Sequence, residues 1–115
     1  MHEMSVQELA LALSNTAIDQ GRRPALLLDV REPWEYETCH IQDARLMPMQ
    51  SVPLRWEELE QEFGLDAMIV CVCHHGGRSK QVAHFLERNG FTQCINLTGG
   101  VHAWATQVDT SMPTY

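Results

Sequence analysis

Cys73, His74, His75, Gly76, Gly77, Arg78 and Ser79 follow one another directly, which puts a thiol, a glycine-bearing turn and a guanidinium within a few residues. The thiolate is the nucleophilic form of cysteine. Consecutive N–H groups of a tight loop can converge into an anion-binding nest, and the positive end of a following helix adds to the field. A cysteine so placed can have its pKa lowered from about 8.5 to roughly 3.5–7.5. Taken alone, a cysteine reads as a packing thiol; the loop around Cys73 reverses that reading and makes it the candidate nucleophile. Arg78 at a helix start opposes the helix dipole and needs a reason, for which a buried ion pair with Asp29 or Glu35 is expected. Asp29 has a second reading, as a strand-end turn residue, and Arg31 reads as a structural ion-pair partner rather than a substrate contact.

The other thiols and imidazoles raise the question of zinc. His74, His75, Cys71 and the Cys39-His40 pair lack the paired two-plus-two spacing of structural zinc, and ligation would consume the thiolate, so no metal is expected. Cys71 lies on the same side of its strand as Cys73 but one pleat deeper, which suits core packing, with a resolving thiol as the alternative. Cys94 reads as core and Cys39 as a surface or loop thiol. Trp34, Trp56 and Trp104 read as packing residues.

The elements that must position this segment are legible from periodicity. Ala67 to Cys73 is an unbroken apolar run, expected as a strand that delivers Cys73 at its end, and the helix that follows should run from about Arg78 to Asn89, burying Val82, Ala83, Phe85 and Leu86, with Gly90 stopping it. Ser5-Val-Gln-Glu8 has the form of a capping box. Val6, Leu9, Ala10 and Leu13 behind it predict a helix to about Asp19, punctuated by Gly21 and Pro24. The run 25–30 predicts a central parallel strand buried on both faces. Pro33 to Thr38 should make a short helical turn, 45–47 a short strand, and 52–63 an acidic amphipathic helix closed by Gly64, with Leu54, Leu59 and Phe63 inward and the acidic run Glu57, Glu58, Glu60 and Glu62 solvated. A strand at 93–97, a turn at Gly99-Gly100 and a helix at 101–107 precede an irregular tail, about 108–115.

Strands alternating with helices predict an α/β fold, a small parallel sheet of four to five strands flanked by helices on both faces, in a single domain over 1–115. Ligands of such sheets bind at the carboxyl ends of the strands. Hydrophobic residues at 44% and charged ones at 20% fit a folded globular chain rather than a disordered one. Fifteen acidic against eight basic residues, a net charge of −7, repel phosphate backbones and anionic lipids, so nucleic acid and membrane partners are not expected. The apolar runs are too short to span a bilayer and residues 1–4 lack a signal-peptide layout, so a cytoplasmic location with reduced thiols is expected.

The loop Cys73-His-His-Gly-Gly-Arg78-Ser79 resembles the active-site loop of the rhodanese family. Asp29-Val-Arg-Glu-Pro-Trp-Glu-Tyr36, Cys39-His-Ile-Gln-Asp-Ala44 through Pro48, and Asn96-Leu-Thr-Gly-Gly-Val-His-Ala-Trp104 resemble further segments of that family in the expected order. The resemblance implies a rhodanese-like fold and an enzyme of the thiosulfate sulfurtransferase type. Cys73 would take a sulfane sulfur from a small donor, hold it as a persulfide and pass it to a thiol or protein acceptor. N–H groups from His74 through His75, Gly76, Gly77 and Arg78 to Ser79 would cradle the sulfur, Asp29, Arg31 and Glu35 would support the loop, and no cofactor is needed.

Departures from the family pattern bear on substrate. His74 and His75 stand where thiosulfate enzymes tend to carry cations, and Glu35 where they carry arginine, which disfavours a dianionic donor. Cys39 and Asp43 stand where glycines are common. Cysteine phosphatases and arsenate reductases on a related fold place one residue more between cysteine and arginine than the four here, and the smaller ring suits a single sulfur better than a tetrahedral anion. A binding or regulatory module without turnover is the other alternative.

Overall fold

A computed structural model describes residues 1–14 and 23–115; the expected end of the first helix at Asp19 and its stop at Gly21 lie outside the described residues. The chain order is β1 (His2–Met4), α1 (Val6–Ser14), β2 (Leu26–Asp29), α2 (Pro33–Thr38), β3 (Arg45–Leu46), α3 (Val52–Phe63), β4 (Met68–Val72), α4 (Gly77–Arg88), β5 (Gln93–Leu97) and α5 (Gly100–Gln107), with a 3-10 turn at Met49–Ser51. The strands form one five-stranded sheet in the order β1-β5-β4-β2-β3, every neighbouring pair parallel. No described helix is long and apolar enough to cross a membrane.

The absence of polar alternation in the strands has a direct cause. Because side chains alternate across a strand, Leu26, Leu28, Val30, Ile69, Cys71, Cys73 and Cys94 enter one core, against Val52 and Leu59 of α3 and Val82, Ala83 and Leu86 of α4. Leu27, Val70, Val72, Ile95 and Leu97 enter the other, against Val6 and Leu9 of α1 and Val101 and Trp104 of α5. Both faces of the sheet are therefore covered, which selects apolar residues except where a buried polar side chain finds partners, as Asp29 and Asn96 do. β4 stands in the middle of the sheet, and β2 beside it is an interior parallel strand as expected, paired on both sides.

Several expectations are corrected. Leu54 is 88% exposed, because the inward stripe of α3 runs through Val52, Trp56, Leu59 and Phe63, a spacing of four, three and four that leaves position 54 on the opposite side. Trp34 is 60% exposed and packs edge-on to Tyr115 at 5.6 Å rather than into a core. Cys39 does lie in a loop, but it is buried in the second core, not at the surface. Asp43, at one of the positions where a glycine was expected, takes φ 70°, a left-handed conformation that aspartate tolerates better than most side chains. β1 had no expectation; it pairs His2 to Met4 with Ile95 to Leu97.

The chain leaves β2 toward β3 on one side and leaves β4 toward β5 on the other. The connections at the carboxyl ends of these two adjacent strands therefore part, which opens the crevice that parallel sheets use for ligands.

Candidate active site

Cys73 follows β4 directly, at that crevice, and its residue is almost wholly buried. The turn after it is made by Gly76 at φ 116°, a conformation that side chains resist. The turn aims the Gly76 N–H at Cys73 Sγ, 3.1 Å away. Ser79, in the first turn of α4, places its hydroxyl 3.2 Å from the same sulfur.

That hydroxyl also meets Asn96 Oδ1. Asn96 Nδ2 donates to Gly76 O at 3.1 Å and to Glu3 Oε1 at 3.0 Å, which fixes the amide so that its oxygen faces Ser79. A hydroxyl has one proton for two acceptors. With Cys73 protonated, Ser79 can accept from the thiol and donate to Asn96; with Cys73 ionised, it can rotate its proton to the sulfur. Asn96 thus orients the group that answers the charge on Cys73.

A second clamp comes from α5. Val101 N–H donates to Cys73 O at 2.9 Å and His102 N–H to His74 O at 3.1 Å. The helix end approaches so closely that a Cβ on Gly100 would lie 2.3 Å from Cys73 O. No side chain fits there.

The acidic and basic groups sort into two pairs. Arg78 donates to both oxygens of Glu35, at 2.7 and 2.9 Å, so of the two expected partners Glu35 is the one. Hydrogen bonding from Arg78 outweighs the opposing effect of burial, and with help from the Glu32 backbone N–H and Tyr115 holds the Glu35 carboxyl down at about 2. Asp29 instead receives Arg31, through Nε at 2.9 Å and NH2 at 2.6 Å, with both side chains inaccessible to solvent. The remaining Arg31 N–H groups reach Glu35 O (3.3 Å), Tyr115 Oη (2.8 Å) and Cys39 O (2.7 Å). Every donor of that guanidinium has a partner, which is what a buried charge requires. Burial works against its charge, but the bonds to Asp29 and Tyr115 raise its pKa above the usual arginine value.

The imidazoles gather beside the loop. His74 lies 4.0 Å from His75, 5.9 Å from His102 and 4.0 Å from the Tyr115 ring, stacked on the last at 10°. Burial, and then the neighbouring His75, lower the His74 pKa below the usual histidine value. Its Nε2 is sealed from solvent without a partner among the described residues, so a proton there would be a buried unpaired donor. No group of three or more His, Cys, Asp or Glu among the described residues is arranged to hold a metal ion.

Two further thiols lie deeper in the core. Burial, and then the neighbouring Cys94, push the Cys71 thiol far up, and burial pushes Cys94 up to about 11. Both lie in the core, where burial favours the neutral thiol and therefore the packing reading of Cys71.

A model of the rhodanese-like domain matches residues 5–107. The chain belongs to the rhodanese-like domain family. Among its relatives, a sulfurtransferase of Allochromatium vinosum is 32% identical over 91% of this chain and 89% of its own length. The rhodanese-like/PpiC domain-containing protein 12, chloroplastic, of Arabidopsis thaliana is 35% identical over 79% of this chain, but the match spans only 30% of that longer protein. A crystal structure of a rhodanese-like domain protein from Staphylococcus aureus superposes with a TM-score of 0.76 at 29% identity, covering 100% of this chain and 99% of the other. These likenesses support a function of the sulfurtransferase type.

Of the residues expected in one loop, Cys73 to Gly76 form the turn and Gly77, Arg78 and Ser79 open α4, while of the expected supports Glu35 meets Arg78 and Asp29 meets Arg31. Sequence reasoning missed Asn96, Gly100, His102 and Tyr115. Asn96 did carry a signal, a lone amide in the apolar strand Cys94-Ile-Asn-Leu97, since a polar side chain in a buried strand must find partners. Tyr115, in an aperiodic tail, carried none.

Proposed function

We propose that this chain is a sulfurtransferase that carries sulfane sulfur as a persulfide on Cys73. The observation that carries the reading is the pair of donors on one sulfur, Gly76 N–H and Ser79 Oγ–H, a cradle suited to a sulfur anion. In the first step the Cys73 thiolate attacks the outer sulfur of the donor. A new S–S bond forms, the donor's bond to that sulfur breaks, and its electron pair leaves with the remainder, sulfite from thiosulfate or a thiolate from a persulfide. In the second step an acceptor thiolate attacks the outer sulfur and Cys73 departs as thiolate. No net oxidation occurs. The remaining N–H groups from His74 to Ser79 hold the outer sulfur, Arg78 shapes the loop through Glu35, and the Asp29–Arg31 pair supports it from below.

Burial of Cys73 restricts the approach to the narrow end of a donor, and the four-residue spacing to Arg78 suits one sulfur atom rather than a phosphate. Because His74 is held toward its neutral form, the site has little fixed charge for a dianion. A monoanionic persulfide is therefore the favoured natural donor, with thiosulfate as a usable probe. The test is intact mass after exposure to thiosulfate. Wild-type protein should gain the mass of about one sulfur, removable by a reductant, and Cys73→Ser should gain none; equal gain in the variant would sink the assignment.

A further inference from the structure

The tail after α5 has no repeating structure, yet its course is fixed. Val108 and Asp109 N–H groups both donate to Trp104 O at 2.9 Å, and Met112 N–H donates to Asp109 O at 3.0 Å. Ser111 closes on the Asp109 carboxylate through its backbone N–H at 3.2 Å and its hydroxyl. Val108, Met112 and Tyr115 pack against the second core. The turn thus folds back along the protein and delivers Tyr115 to the catalytic loop, from outside the residues 5–107 that match the family.

Tyr115 makes three different contacts there. Its hydroxyl donates to Glu35 Oε2 at 2.7 Å and accepts from Arg31 NH1 at 2.8 Å, so it joins the ion pair that holds the loop to the one buried below it. Its ring stacks on His74 at 4.0 Å, the residue directly after Cys73. Its edge meets the exposed Trp34 at 5.6 Å.

We propose that Tyr115 is a positioning residue for sulfur transfer, seating the His74 imidazole with its ring while its hydroxyl locks Arg31 and Glu35 into one network behind the loop. The proposal rests on the persulfide reading of Cys73. The groups that face His74 are His75 from the loop, His102 from α5, Glu35 from α2, Arg31 after β2 and Tyr115 from the tail. Of these only Glu35 favours the imidazolium; the tyrosine ring adds burial, which disfavours it. Removing the ring therefore lets His74 protonate at higher pH, which helps an anionic donor only below that midpoint, and frees the loop at the residue beside the nucleophile, which slows transfer throughout.

The experiment follows persulfide formation on Cys73 by mass, with thiosulfate, across neutral pH for wild type, Tyr115→Phe and Tyr115→Ala, with the His74 ring titrated by NMR and folding checked by thermal unfolding. Tyr115→Ala is expected to slow persulfide formation roughly tenfold and to raise the His74 midpoint by about half a pH unit. Tyr115→Phe keeps the stack, so the midpoint should stay in place while the rate falls by less. A wild-type rate and His74 midpoint in both variants would overturn the proposal. Should wild type itself form no persulfide, the functional reading fails, and the His74 titration still decides whether Tyr115 seats the imidazole.

Discussion

The interior of β4 and its carboxyl end carry the same functional group two residues apart, and they treat it differently. Cys71 and Cys73 are both buried, at 0% and 1% exposure, so access to bulk water does not distinguish them. Cys71 is surrounded by apolar side chains of one core and burial keeps its thiol protonated. Cys73 meets a glycine N–H, a serine hydroxyl and, behind them, an asparagine, all oriented by groups further out. The lesson is that a buried cysteine becomes a candidate nucleophile through what donates to it. A strand can supply a reactive thiol only where its ladder ends and a turn can aim backbone donors inward.

If the carboxyl end owes its character to the loop, removing the support of the loop should erase the difference most completely. Arg78→Ala leaves the Glu35 carboxylate nearly buried with Tyr115 and the Glu32 N–H as its partners among the described residues, and the loop without its anchor to α2. A loss of about 3 kcal/mol in stability is expected, together with a fall of about a hundredfold in the rate of sulfur transfer. Arg78→Lys keeps the charge without the two-pronged geometry and should fall between. Urea unfolding and single-turnover persulfide formation measure the two effects; a variant as active as wild type would show that the loop holds its shape without Arg78.

The donors themselves come next. Ser79→Ala removes one of two hydrogen bonds to Cys73 Sγ and should slow transfer by about tenfold while changing stability by roughly 1 kcal/mol. Asn96→Ala should act on rate in the same direction through Ser79, and the double variant should lose little beyond the larger single effect, because the two residues serve one proton position. Full additivity in that cycle would mean that Asn96 acts on the sulfur by another route.

Much of this was readable in the chain. The apolar runs 25–30 and 67–73 announced doubly covered strands, and the glycine-bearing turn after Cys73 announced a backbone N–H near the thiol, because local chain geometry dictates both. The pairing of Arg78 with Glu35 rather than Asp29 was not decided locally. It depends on Arg31 consuming both oxygens of Asp29, a contact within one turn of chain whose precedence only the packed structure reveals. β1 was invisible because His2-Glu3-Met4 has no strand character of its own; its pairing with β5 creates it. The exposure of Leu54 and Trp34 was hidden for a related reason, since an apolar residue can stand off the buried stripe of a helix without penalty to the pattern.

The smallest effect is expected at the other half of the comparison. Cys71→Ala removes a sulfur from a well-filled core and leaves a cavity smaller than a side chain, so a loss of roughly 1 kcal/mol is expected. The backbone of β4 keeps its pairing with Leu28 and Asn96 on either side, so the Cys73 turn starts from the same place. Persulfide formation on Cys73 should then change by less than about twofold. A resolving thiol would give a different result, because Cys71 would have to form a disulfide with Cys73 as the persulfide discharges, and its loss would lengthen the life of the persulfide while leaving its formation intact. Following the decay of the added sulfur mass in Cys71→Ala, without any acceptor present, separates the two. Unchanged decay keeps Cys71 as packing, in line with a thiol that burial holds protonated.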